Sequence, residues 1–390
     1  MDFQSKVITL TAAGFALATM LSGCDGPTNA DEPQTVTAPQ PDDTSSPTTT
    51  PQTPAQTPAP APADNIVNVA VTDVIETAGV KGDIAFWSHP TLAFNSLLLA
   101  AGSQNITGFG VESRLDVSSL EVGARAMDVA YIGEGVDARG YLVALSGSSL
   151  QLSEIQNATG ALSPIASMES PTISALQEIC LSAAGETIRG YGVGTNSMVR
   201  ITITLEGGMR DISITPSAAP AGPIDCTVDP LSEAAYFLGA DGTISRLDGD
   251  GNAMVPFSAP HPSGGRSLGL LLKSDDGQTP SPRLIVLGDD TSHLRLLDGS
   301  GDTLGQFKLS ASFDYPAVEN PSALGVGFGN YGGVYRDGAI ALAHDDGISL
   351  VPWNAIATAL ELPIGDGVNP RLLQEPEEEG FVIDIAPIAP

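Results

Sequence analysis

Basic side chains are scarce. Lysine and arginine number 16 against 46 aspartates and glutamates, a formal charge of −30 over 390 residues. The cations are scattered singly, so no positive field exists to release counterions from a phosphate backbone, and unaided nucleic-acid binding is excluded. Aromatics are 5% of the chain and cysteines number three, which leaves stability mainly to aliphatic packing. The four histidines, His89, His261, His293 and His344, have no partner at i+2 or i+4 to build a zinc face. There is no G-x-S-x-G elbow, and Gly190, Gly192 and Gly194 open no helix, so serine-hydrolase and dinucleotide readings lack their motifs. What is plentiful is turn chemistry: 43 Gly and 30 Pro among 42% hydrophobic residues describe a turn-rich chain that still buries a core.

Residues 1–24 read as a secretory signal, with Lys6 ahead of an apolar run from Val7 to Leu21 that is short for a membrane span. Leu21-Ser22-Gly23-Cys24 resembles the bacterial lipobox, which implies cleavage before Cys24 and lipidation of its thiol. The competing reading is ordinary secretory cleavage nearby. Either places the body outside the cytoplasm, and the first anchors it to a membrane of the cell envelope through lipid alone. Residues 25–64 are Pro, Thr, Gln, Ala and acid, the composition of a disordered linker able to reach about 120 Å at ~3.1 Å per residue. Residues 374–390 form a tail that opens with the acids Glu375, Glu377, Glu378 and Glu379.

Residues 65–373 show no amphipathic helix of convincing length and many short β-like runs separated by Gly, Asp, Asn and Ser. One unit recurs: an apolar strand, a tight polar turn, an alternating strand, another turn and a looser third strand. Its opening strands, at Ser96, Tyr141, Thr187, Ala234, Arg283 and Ala339, are spaced 45, 46, 47, 49 and 56 residues apart. A four-stranded propeller blade needs about 40 to 50 residues. The period therefore predicts an all-β, six-bladed β-propeller rather than a sandwich, which carries about seven strands per 100 residues. Asp-Gly pairs such as Asp241-Gly242 and Asp346-Gly347 are read as hairpin turns rather than calcium loops.

Three segments carry a family resemblance. Asp83-Ile84-Ala85-Phe86-Trp87-Ser88-His89-Pro90, Asp225-Cys226-Thr227-Val228-Asp229 with Tyr236-Phe237, and Leu324-Gly325-Val326-Gly327-Phe328-Gly329 together resemble, in order and spacing, motifs of the six-bladed β-propeller phytases. That resemblance implies calcium-dependent hydrolysis of phytate or another phosphomonoester, with calcium as cofactor. The metal neutralises phosphate and activates water, so such a site needs about six carboxylates and a few cations. Aligned with the family, Asp83, Asp225, Asp229 and Glu319 are the candidate metal ligands that remain. Other acid positions fall at Gly82, Gly239, Ala240 and Arg266 to Gly269, and basic phosphate-binding positions at Ser103, Ser148 and Thr195. The expectation is weak or absent phytase activity. The alternative is a non-catalytic propeller that binds a protein, glycan or peptide at the cell envelope. With Cys24 lipidated, Cys180 and Cys226 are left as either one disulfide or two core thiols.

Overall fold

A computed structural model describes residues 65–373, apart from short stretches at 78–79, 134, 196, 209, 219–221, 250–252, 276–278 and 290–291. The signal sequence, Cys24, the linker and the acidic tail lie outside the described residues.

Six sheets follow one another along the chain. Blade 1 comprises Val80–Trp87, Leu97–Gly102, Ile106–Gly110 and Asp116–Leu120. Blade 2 comprises Ala126–Ile132, Arg139–Ser146, Ser149–Ile155 and Leu162–Glu169. Blade 3 is Glu178–Ala184, Thr187–Gly194, Ser197–Thr204 and Asp211–Ser217, and blade 4 is Pro223–Val228, Ala235–Gly239, Ile244–Leu247 and Met254–Ser258. Blade 5 is built on Ser267–Ser274, Ser281–Leu287, His293–Leu297 and Thr303–Ser310. Blade 6 takes Ala323–Gly327, Ala339–His344 and Gly347–Pro352 from late in the chain and its outermost strand, Asp73–Ile75, from early in it. The preceding strand Ile66–Ala70 adds in parallel to the outer edge of blade 5. Early and late segments are thus zipped together across two blades.

Burial explains why these sheets need one another. Six apolar clusters lie one at each interface between consecutive blades, including the interface between blades 6 and 1. At that closing interface Ile84, Phe86 and Leu98 of blade 1 pack with Ala339, Ala341 and Leu350 of blade 6. A single antiparallel sheet buries neither face alone, so the ring is the smallest arrangement that removes all twelve sheet faces from water. This is the six-bladed propeller that the period predicts.

The register of the repeat differs from the sequence reading. The apolar runs beginning near Ser96, Tyr141, Thr187, Ala234, Arg283 and Ala339 are the second strand of each blade, not the first. The innermost strands come before them and escape a search for apolar runs because they carry polar residues at positions facing the channel, such as Asp83, Asp128, Glu178 and Asp225. The innermost strands start on what is here called the entry face and finish on the exit face.

Asp-Gly turns behave as turn chemistry predicts. Gly242 and Gly347 have φ of +77° and +146°, where side chains other than glycine are strained, and Asp241 accepts the N–H of Thr243 through Oδ1. The one α-helix among the described residues, Trp353–Ala359, follows blade 6 and is not foreseen from sequence, being too short to show a period. Its Trp353 and the Trp87 of blade 1 are fully buried fillers between blades.

Candidate functional site

The innermost strands surround a cavity of about 170 Å³ along the propeller axis. Four carboxylates from four consecutive blades line it: Asp83, Asp128, Glu178 and Asp225. All four lie on the innermost strands, where an inward-pointing residue of each strand faces the lumen.

Their oxygens serve the ring itself. Asp83 Oδ1 accepts the N–H of Ile84 at 2.7 Å, and its Oδ2 accepts the N–H of Met127 in blade 2 at 3.3 Å. Asp128 repeats this toward blade 3, accepting from Val129 at 2.7 Å and Leu181 at 2.6 Å. Asp225 repeats it toward blade 5, accepting from Cys226 at 2.6 Å and Leu268 at 2.7 Å, with further help from the Ser267 side chain. Glu178 accepts the N–H of Ile179 at 2.9 Å. Three aspartates are therefore staples between neighbouring blades. Ser182 follows Leu181 as Asp128 follows Met127, so the ring position in blade 3 lacks a carboxylate. At that junction Cys180 and Cys226 are joined by a disulfide that ties blade 3 to blade 4.

The lumen disfavours charge on these acids. Burial, with the nearby Asp225 charge adding to it, holds Asp83 well above the usual carboxylate range. Glu178 is raised by burial and by the charges of Asp83 and Asp225. Burial pushes Asp128 and Asp225 up to about 7 in spite of the N–H groups they accept. Near neutral pH Asp128 and Asp225 are thus divided between protonated and ionised forms, and repulsion acts between whichever carboxylates are ionised together.

A late segment of the chain lies across the exit end of the channel. Pro370, Arg371 and Leu373 line the cavity there. Arg371 is 3% exposed and donates to Ser88 O through Nε at 2.7 Å, to Ala138 O through Nη1, and to Asn157 Oδ1 at 3.2 Å. Its guanidinium centre lies 4.8 Å from the ring of Tyr131 and 5.3 Å from that of Trp87. These donor contacts go to carbonyl and amide oxygens at the channel end, so the cation is engaged there rather than offered to a ligand inside the channel.

The candidate metal ligands derived from sequence divide into two places. Asp83 and Asp225 face the channel. Asp229 lies at the end of the innermost strand of blade 4, buried, where Oδ1 accepts the Leu231 N–H at 2.9 Å and Oδ2 the Ser232 hydroxyl at 2.6 Å. Glu319 is exposed in the loop between blades 5 and 6. Among the described residues no three His, Cys, Asp or Glu are grouped as a bound ion would require. Sequence reasoning missed Asp128 and Glu178. A signal for them exists: Asp83 and Asp128 each stand 13 residues before the start of an apolar repeat strand, and Glu178 and Asp225 each stand 9 before.

Topology and closure define the class: the chain is a six-bladed β-propeller. No family model matches it, and no curated protein matches it either. Among solved structures it is similar to the crystal structure of BBS1N in complex with ARL6DN, soaked with mercury, with a TM-score of 0.41 and 13% identity over 65% of this chain and 73% of that one. These comparisons lend the phytase resemblance no support.

Proposed function

We propose that this chain is a non-catalytic β-propeller that binds a partner at the cell envelope. The observation that carries the reading is the use made of the channel carboxylates. Asp83, Asp128 and Asp225 each give both oxygens to backbone N–H groups of two blades, the role of a structural staple. Calcium sites take six to eight oxygens each, and the acids inherited from the motif comparison are split between lumen, turn and loop. The Cys180–Cys226 disulfide supports an oxidising compartment, in keeping with export and a lipid anchor at Cys24.

A calcium-dependent phosphomonoesterase acting on phytate is the second reading. What favours it is that four carboxylates share one channel. What weighs against it is that the positions matching the family's phosphate-binding cations are Ser103, Ser148 and Thr195. The discriminating experiment measures phosphate release from phytate by the purified protein in millimolar calcium, with calorimetric titration of calcium alongside. Neither turnover nor calcium heat is expected. Release at about 1 per second or faster would overturn the binding reading.

A further inference from the structure

Exposed apolar side chains gather on one part of the exit face. Leu92 and Phe94 sit in the loop after the innermost strand of blade 1, Leu115 and Val117 around the start of its outermost strand, and Val334 in the corresponding loop of blade 6. All five are between 44% and 68% exposed. A monomer surface seldom gathers large apolar groups in one area without a binding role. A groove of about 410 Å³ runs here, walled by Phe94 and Val117 of blade 1 and by Ala158 and Thr159 of blade 2.

Glu112 lines the same groove. Its carboxylate lies against the loop of blade 6: a Cβ placed on Gly332 would meet Glu112 Oε2 at 2.7 Å and Phe94 Cα at 2.9 Å. Gly332 has φ +87°, so glycine both accepts the backbone there and leaves room for the acid beside the aromatic residue. Among the described residues this carboxylate has no hydrogen-bond or ion-pair partner. Two cations of this face are committed elsewhere. Arg114 pairs with Asp73, and Arg371 is bound to the channel end. His89 accepts the N–H groups of Thr91 and Leu92 at Nδ1, and burial together with the Arg371 charge lowers its pKa. That leaves the histidine neutral at pH 7.

An unpaired carboxylate between apolar walls is complementary to a cation on an aliphatic stem. The methylenes cover Phe94 and Val117 while the charged head reaches Glu112, and the aromatic face adds cation–π attraction. The chain's charge of −30 attracts such a partner from a distance. We infer that this groove docks a lysine- or arginine-bearing segment of a protein partner, with the cation on Glu112 and flanking apolar side chains on Phe94 and Val117. The inference rests on the binding reading above and gives it a place and a partner chemistry.

The test uses two short dye-labelled peptides of leucine and serine that differ only in a central lysine or glutamate. Each is titrated by fluorescence anisotropy against the intact purified protein at physiological ionic strength. The lysine peptide binds the wild type. Glu112→Lys weakens it by about ten-fold or more and shifts preference to the glutamate peptide. Phe94→Ser weakens both peptides, and Glu121→Lys, on the entry face of the same blade, changes neither. Equal effects of Glu112→Lys and Glu121→Lys would reduce the binding to diffuse charge attraction and overturn the inference. So would equal affinity of the wild type for the two peptides, or no binding of either. Any of those results without phosphate release removes this groove alone, whereas phosphate release from phytate removes the binding reading itself.

Discussion

The carboxylate of Asp128 accepts the backbone N–H of Leu181 at 2.6 Å, so a side chain of blade 2 holds the innermost strand of blade 3. Asp83 and Asp225 do the same for the next blade in their turn. At the junction of blades 3 and 4, where Ser182 stands in the ring position, a disulfide makes the link instead. Two chemistries thus perform one task around the channel, and they respond to different conditions.

The carboxylate staples make stability depend on pH. Burial raises Asp128 and Asp225 to about 7 against an ordinary value of 3.8. Between those values the folded chain binds more protons than the unfolded one, so stability falls as pH rises through that window, by up to about 1.4 kcal/mol per pH unit for each group. The melting temperature is therefore expected to be higher at pH 5 than at pH 8. In Asp128→Asn one N–H loses its acceptor, which costs about 1 to 3 kcal/mol, but one titrating group is removed. The variant melts lower than wild type at pH 5 and loses less between pH 5 and pH 8. Parallel melting curves for the two proteins across that range would show that Asp128 does not titrate as described.

The disulfide responds to redox conditions instead. It closes a loop with a sequence separation of 46, which in the chain-entropy account is worth about 4 kcal/mol. Its two half-cystines are buried at the interface of blades 3 and 4. The Cys180→Ala/Cys226→Ala double variant, or wild type melted in reductant, is expected to lose several degrees in melting temperature. A control in reductant should show no further loss for the double variant. An unchanged wild-type melt after complete reduction, verified by thiol labelling, would contradict this role.

Period and turn chemistry make the ring legible in the sequence alone, because the second strand of each blade is an apolar run and the third alternates apolar with polar, with Gly, Asp, Asn or Ser at the turns between them. The innermost strands were harder to read. Asp128 sits in Ala126–Ile132 with one face on the channel, so the alternation there is broken by an acid whose reason lies in the next blade. Asp229 and Glu319 show the opposite failure. They stand as candidate ligands only through alignment with the phytase motifs, and in the fold Asp229 is absorbed by a turn and Glu319 lies in an exposed loop, away from the channel that Asp83 faces. The groove at Glu112 has no signature along the chain at all, since blades 1, 2 and 6 bring its parts together from positions more than 200 residues apart.

Gly140 tests how closely blades 1 and 2 are fitted. A Cβ on it would lie 2.4 Å from Trp87 Nε1 and 2.8 Å from Trp87 Cδ1, and Trp87 is fully buried. The indole cannot retreat without disturbing the cluster that it shares with Leu97, Met127 and Leu142. Gly140→Ala is expected to destabilise by about 1 to 3 kcal/mol through overpacking, measured by chemical denaturation. A neutral effect would mean that the interface between these blades has slack.

Arg371 offers a way to ask whether the late segment seals the channel. Its guanidinium serves two backbone carbonyls and an amide oxygen from blades 1 and 2, and covers the rings of Tyr131 and Trp87. Truncation leaves buried acceptors unsatisfied, and Arg371→Ala is expected to lose at least about 2 kcal/mol of stability. A purely stabilising contact would explain that loss alone, so a second readout is needed. The chain has two tryptophans, and in a Trp353→Phe background the emission reports Trp87 alone. Removal of Arg371 should shift that emission to the red and increase its quenching by acrylamide, because water then reaches the indole from the opened channel end. Lowered stability with unchanged quenching would show that Arg371 braces the blades without closing the lumen.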